Sequence, residues 1–232
     1  MRPLVVGTCL ALFLVACATR APRAAGGESV AAEACWLPPG AAPGMFVTWS
    51  EQKSPAEPDD LRESTLACVD GAGGVLTMER SETFADGSTS VTATRFRPDG
   101  TLVGAWRGPK GGAGTPLRVA PPRDPNAARE RTDRVRAAYG LPPPAVSEAK
   151  RTEWVETPAG RFPCVKRTTE VSILFAKGRF ETWHAVGSSA LSALVKAEVT
   201  LPGAMGQPGH HEVTLLKAVG AVGARPTLTI PP

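Results

Sequence analysis

Between Leu61 and Arg107, short apolar and polar segments alternate around recurring Asp-Gly pairs. Leu76, Met78 and Phe84 share one parity, as do Leu102 and Trp106, the period-two signature of half-buried strands. Asp70-Gly71, Asp86-Gly87 and Asp99-Gly100 divide the stretch at hairpin spacing, and Asp-Gly supplies the positive-φ residues that tight hairpin turns need. The pattern predicts an antiparallel meander. A second β region follows beyond residue 152. Glu153 to Thr157 and Arg161 to Val165 flank a Pro158-Ala159-Gly160 turn, and Val171 to Phe175 should pair with Arg179 to Val186 across Lys177-Gly178. Val195, Ala197, Val199 and Leu201 then alternate with Lys196, Glu198 and Thr200, and Val213 and Leu215 keep one parity on the return strand. Alternation of that kind predicts a sheet with one face wet and the other covered.

Two segments interrupt this pattern. The run from Gly108 to Pro125, GPKGGAGTPLRVAPPRDP, is rich in Gly and Pro and predicts a long loop inserted between the β regions. From Asn126 to Tyr139 neither residue occurs, and the composition predicts one helix, stopped by Gly140 and Pro142-Pro143-Pro144. No period of 20–50 residues repeats, which argues against a solenoid. With 24 Gly and 23 Pro among 232 residues, the chain reads as a loop-rich β protein of one domain rather than a helical bundle.

The first residues follow a different logic. Met1-Arg2-Pro3 is a short basic stretch, Leu4 to Ala16 an apolar core of 13 residues, and Leu14-Val15-Ala16 leads into Cys17. An apolar run this short falls below the ~20 residues of a spanning helix and matches the layout of a secretory signal peptide. Leu14-Val-Ala-Cys17 in this setting resembles the lipobox of bacterial lipoproteins. The resemblance implies cleavage before Cys17, acylation of its thiol and its new amine, and anchoring by lipid alone. Ala18 follows the cysteine instead of Asp, a pattern that implies sorting to the outer membrane, facing the periplasm. The expected organisation is therefore a signal peptide over 1–16, a lipidated flexible tether over 17–34, and a single β-rich domain over 35–232. The tether assignment rests on the Ala, Gly, Arg and Glu content of residues 19 to 34.

Within the second half, Thr157-Pro-Ala-Gly-Arg-Phe-Pro-Cys164, a strand with Trp183, and Leu191-Ser-Ala-Leu-Val-Lys196 before a closing hairpin resemble the Lol-type half-barrel of periplasmic lipoproteins and lipoprotein carriers. The resemblance runs from Thr152 to Val219. It implies a mainly β fold, one curved antiparallel sheet, half-barrel-like, wrapped around a helix. It also implies a concave apolar face for acyl chains or another hydrophobic guest, and no catalytic residues. The carriers are soluble whereas this chain carries an anchor signal, so the likeness is to an acceptor or scaffold.

Charge and candidate chemistry add few alternatives. The formal net charge is +4, spread along the chain without basic runs interleaved with aromatics, so nucleic-acid binding has no footprint. His184, His210 and His211 are the only histidines, and adjacent residues of a strand face opposite ways, so His210 and His211 cannot ligate one metal ion together. Gly108 to Thr115 and Gly71 to Gly74 lack the strand-to-helix setting of a phosphate loop, and no cofactor motif is legible. Ser50 and Lys53 have the S-x-x-K spacing of penicillin-interacting serine enzymes, without that family's companion motifs; cell-wall hydrolysis is the weakest of the readings, and no enzyme activity is expected.

Trp106, Trp154 and Trp183 lie in predicted strands and are candidates to line a groove for an apolar ligand, the alternative being ordinary sheet core. A hydrophobic ligand, or a second envelope protein bound to a sheet edge, is the expected partner. After removal of Cys9 and lipidation of Cys17, three thiols remain: Cys35, Cys68 and Cys164. Sequence leaves three pairings open; the position of Cys35 where tether meets domain favours a Cys35–Cys68 disulfide, with Cys164 a shielded thiol.

Overall fold

The computed structural model describes residues 29–31, 35–57, 59–70, 72–120, 124–141, 152–173, 176–188, 191–203 and 209–230. Cys17 and the residues before it lie outside them. The elements in chain order are β1 (Ser29–Ala31), β2 (Phe46–Ser54), β3 (Leu61–Asp70), β4 (Leu76–Phe84), β5 (Thr89–Phe96), β6 (Leu102–Pro109), β7 (Thr115–Pro116), β8 (Arg118–Ala120), α1 (Pro125–Ala138), β9 (Glu153–Thr157), β10 (Gly160–Ile173), β11 (Ala176–Ala185), β12 (Leu194–Leu201) and β13 (His210–Gly220). Eleven strands form one antiparallel sheet in the order β7-β6-β5-β4-β3-β2-β13-β12-β11-β10-β9. The sheet is open, with β7 and β9 at its two ends. The fold is mainly β with one helix among the described residues, as the alternation predicts.

Asp-Gly turns act where the sequence places them. Gly87 and Gly100 take φ of 81° and 83° between β4 and β5 and between β5 and β6, and Asp86 and Asp99 accept from the amides of Ser88 and Thr101 at 2.8 and 2.9 Å. Gly71 lies outside the described residues; β3 and β4 are joined through a 3-10 turn at Ala72–Gly74. One expected turn moves. Lys177-Gly178 sits inside β11, paired with Ser172 and Val171, and the β10–β11 ladder runs on to Ile173↔Ala176. Gly178 is there for close approach: a Cβ would stand 2.2 Å from the Leu201 side chain.

Each half of the sheet is a local meander, and the ladder between β13 and β2 welds the two together, from His211↔Ser54 to Gly220↔Phe46. Both faces are covered near the centre. On one side Val47, Trp49, Cys68, Met78 and Phe96 join Tyr139 and Leu141 from the end of α1 in the main apolar cluster. On the other, a C-terminal strap buries Leu228 against Val91 and Ala93. The strap is held by β-like bonds to the Gly-rich insert: Gly111 and Gly114 donate to Thr227 and Thr229 carbonyls at 2.6 and 2.7 Å, and Thr229 donates to Gly112 at 2.9 Å. Gly108 makes room for this, since a Cβ would lie 2.5 Å from the Ala113 carbonyl oxygen and 2.8 Å from Leu228. The insert expected as a plain loop thus carries β7 and β8 and seats the strap.

The tether boundary also shifts. Ser29–Ala31 pairs in parallel with Arg118–Ala120, and Val30 is buried with Ala105 and Leu117. A single Val in an Ala/Gly/Glu-rich stretch gives no periodic signal, so this short strand is invisible to pattern reading. No helix among the described residues is long and apolar enough to cross a membrane.

Candidate functional site

The face of β2 that carries Trp49, Glu51 and Lys53 builds the site. Register pairs Leu216 with Trp49, Thr214 with Glu51 and Glu212 with Lys53. On the next strands Ser64 pairs with Trp49, and Glu82 and Arg80 pair with Ser64 and Leu66. Cross-strand partners share a face, so two strongly apolar side chains, three hydroxyl or amphipathic ones and a set of charges occupy one patch. The end of α1 closes over it. Tyr139 stacks at 5.5 Å on Trp49 and 5.6 Å from Trp36, tilted in both pairs. Its carbonyl accepts from the Ala193 amide at 2.9 Å and from Ser192 Oγ at 2.8 Å. Trp49 Nε1 donates to the Leu194 carbonyl at 3.0 Å, fixing the indole. Gly140, at φ 69°, passes so close to His184 that a Cβ would lie 2.8 Å from its ring.

Between these groups lies a partly open cleft lined by Trp49, Glu51, Ser64, Arg80, Tyr139, Leu194 and Thr214. About 10 Å³ of it is open to the centre of a water molecule, room for one small polar group. Glu51 is 6 % exposed, and among the described residues no hydrogen bond or ion pair reaches its carboxyl. Burial and then the Glu212 carboxylate push its pKa from 4.5 up to about 8, against the pull of Arg80 and Lys53. At neutral pH it is a protonated acid. The nearby bases are already engaged: Arg80 with Glu82 at 2.9 Å and Lys53 with Asp60 at 3.2 Å. Burial works against the charge of Lys53, but Glu212 and Asp60 outweigh it and raise its pKa. A buried carboxyl of shifted pKa in a cleft can exchange a proton or receive a cation.

The tryptophans predicted to line one groove are not brought together. Trp106, on β6, is half-buried beside Leu228 and Ile230, under the Arg95 guanidinium at 5.1 Å. Trp183, on β11 near the opposite end of the sheet, is buried between the ammonium groups of Lys166 and Lys196 at 4.6 and 4.5 Å, and its Nε1 donates to Glu153. Trp154 is 58 % exposed on the end strand β9, stacked under Arg161. Strand membership was legible, but strand order puts Trp106 far from the other two, and Trp154, next to the Glu153 that Trp183 bonds, faces the other side of the sheet. Trp49, on β2, lines the Glu51 cleft.

Other sequence candidates resolve similarly. No disulfide joins Cys35, Cys68 and Cys164 among the described residues. Cys68 is fully buried on β3 opposite Met78, filling core as a small apolar side chain, and Cys35 packs against the same cluster. Cys164 is buried, and burial, with Glu153 adding, pushes its thiol up to about 12. Ser50 and Lys53, three apart on a strand, face opposite sides; Ser50 Oγ reaches the Leu215 carbonyl at 3.5 Å, so no serine–lysine pair forms. His211 and His210 pair with Glu198 at 3.0 Å and Glu212 at 3.5 Å, and His184 is buried. Among the described residues no group of three His, Cys, Asp or Glu is placed to hold a metal ion. Sequence reasoning missed Glu51, because its partners arrive through the long-range β13–β2 ladder; the one local signal is an acid in phase with Val47 and Trp49.

The sequence matches no family model and no curated protein. Among solved structures the fold is similar to one described as "a putative lipoprotein from Parabacteroides distasonis", at 13% identity and a TM-score of 0.30, over 77% of this chain and 96% of that one. A likeness of that size carries no argument about function.

Proposed function

We propose that this chain is a lipid-anchored protein of the bacterial cell envelope, held through Cys17 on the periplasmic face of the outer membrane. In this reading its open sheet is a non-catalytic binding module for a lipid or another hydrophobic ligand. The anchor rests on the leader and Leu14-Val-Ala-Cys17, and the resemblance to Lol-type half-barrels belongs with the same reading. The binding role rests on one observation: the eleven-stranded antiparallel sheet stays open, with β7 and β9 at its ends, as a half-barrel would. A second reading, an envelope scaffold, has its own support in β9, an end strand with exposed Trp154, since an unpaired edge can accept a strand from another protein.

Two measurements test these claims. Cells fed radiolabelled palmitate should label the wild-type chain and leave Cys17→Ala unlabelled, because no other residue can form the thioether; label retained by the variant overturns the anchor. A form beginning at Ala18, which keeps β1, should bind a fluorescent fatty acid saturably, with energy transfer from tryptophan. Absence of saturable binding removes the hydrophobic-ligand reading and leaves the scaffold.

A further inference from the structure

Glu51 is a buried carboxyl that lines the cleft, with no bonded partner for it among the described residues. Its surroundings define what the void would accept. From β2 come Glu51 and Lys53, from β4 Arg80 and Glu82, from β13 Glu212 with His210 beside it, and from the turn before β3 Asp60. Four carboxyls face two bases. Both bases are already paired, Arg80 to Glu82 and Lys53 to Asp60, and Glu212 stands with His210 at 3.5 Å, which leaves Glu51 as the carboxyl in the cleft wall. With the Arg80 guanidinium offset by Glu82 and the Glu212 carboxylate acting on Glu51, a cation would be drawn in and an anion would not.

The walls narrow the choice further. The indole of Trp49 and the phenol ring of Tyr139 flank the space, and aromatic faces attract organic cations. Ser64 and Thr214 add hydroxyl acceptors beside the carboxylate, which suits a group with several N–H donors. The open volume takes one group of about water size. A bare metal ion would need more oxygen ligands than this wall offers.

We propose that the cleft of Trp49, Glu51, Ser64, Tyr139 and Thr214 is a binding site for a primary ammonium group, with ionised Glu51 as its counter-ion. The remainder of such a ligand leaves through the open side of the cleft. This site is independent of the lipid anchor and of fatty-acid binding. Because Glu51 is protonated in the empty site near neutral pH, binding expels its proton to solvent; the ammonium keeps its own, so charge and protons balance.

The test is calorimetric titration of the full chain in non-ionic detergent with methylammonium chloride, in two buffers of different ionisation heat. Saturable binding should release close to one proton per ligand at pH 7, and affinity should rise about tenfold between pH 7 and pH 9 as Glu51 ionises. Glu51→Gln, an isostere of the protonated acid, should keep its circular dichroism and lose binding. Tetramethylammonium, too large for the void, and potassium, which finds too few ligands, should not compete. No saturable heat with methylammonium at pH 9 would mean the cleft holds water only and overturns the proposal. Binding without proton release in the wild type does the same, and potassium competing at equal concentration overturns the ammonium assignment.

Discussion

Glu79→Ala should destabilise the fold by about 3–5 kcal/mol, read as a fall in the urea midpoint at constant slope. Glu79 is 3 % exposed and faces the strap, opposite the Glu51 cleft. Its carboxylate accepts from the Thr227 amide at 2.9 Å and hydroxyl at 2.7 Å, and from the Leu228 amide at 3.1 Å. Removing it strips two part-buried donors of Thr227 and leaves the buried Leu228 amide unsatisfied, and a buried donor without a partner costs more than the net value of the bond lost. The strap also seats Leu228, whose loss from the Val91 and Ala93 surface would add to the effect. Glu79→Gln keeps one acceptor oxygen in the same place and should fall between the wild type and the alanine variant. An alanine variant within about 0.5 kcal/mol of wild type, the range of ordinary surface changes, would show that the strap contributes nothing to folding.

How much of this was legible in the sequence depends on whether the signal was local. The hairpins at Asp86-Gly87 and Asp99-Gly100, and the alternation of β12 against β13, are written in consecutive residues, and the structure follows them. Gly178 misled because a glycine inside a strand and a glycine in a turn look alike until Leu201 is known to lie over it. The strand β2 escaped notice for a more informative reason. On its covered face Val47 and Trp49 are followed by Glu51 and Lys53, so the period-two pattern breaks where the site begins. Buried charges are where pattern reading fails and where function is built. Trp106 and Trp183 were each read as strand residues, but the order of strands across the β13–β2 weld is a tertiary fact that no local pattern contains. The strap shows the same limit: nothing in the Arg-Pro-Thr-Leu-Thr-Ile tail announces that Glu79 waits beneath it.

Glu51→Gln should leave stability unchanged near pH 4.5 and raise it increasingly as pH rises towards 8.5. In the folded chain the carboxyl ionises near pH 8, against 4.5 when unconfined, so between those values the folded state holds a proton that the unfolded state has released. Stability from this group is therefore fully present below pH 4.5 and is lost as pH rises through 8, with a slope of about 1.4 kcal/mol per pH unit. Over the whole window the loss is on the order of 4 kcal/mol. Glutamine has the shape of the protonated acid and cannot ionise, so the variant should match the wild type near pH 4.5 and exceed it by several kcal/mol at pH 8.5. Denaturant unfolding of both proteins across that range measures the difference directly. Parallel curves for the two proteins would mean Glu51 is ionised throughout, hydrated or paired in the folded state. A gap that opens with pH and then closes for the wild type alone on adding methylammonium would join this stability penalty to the ammonium site. The ion supplies the positive charge that Glu51 lacks, and binding then returns to the fold what ionisation removed.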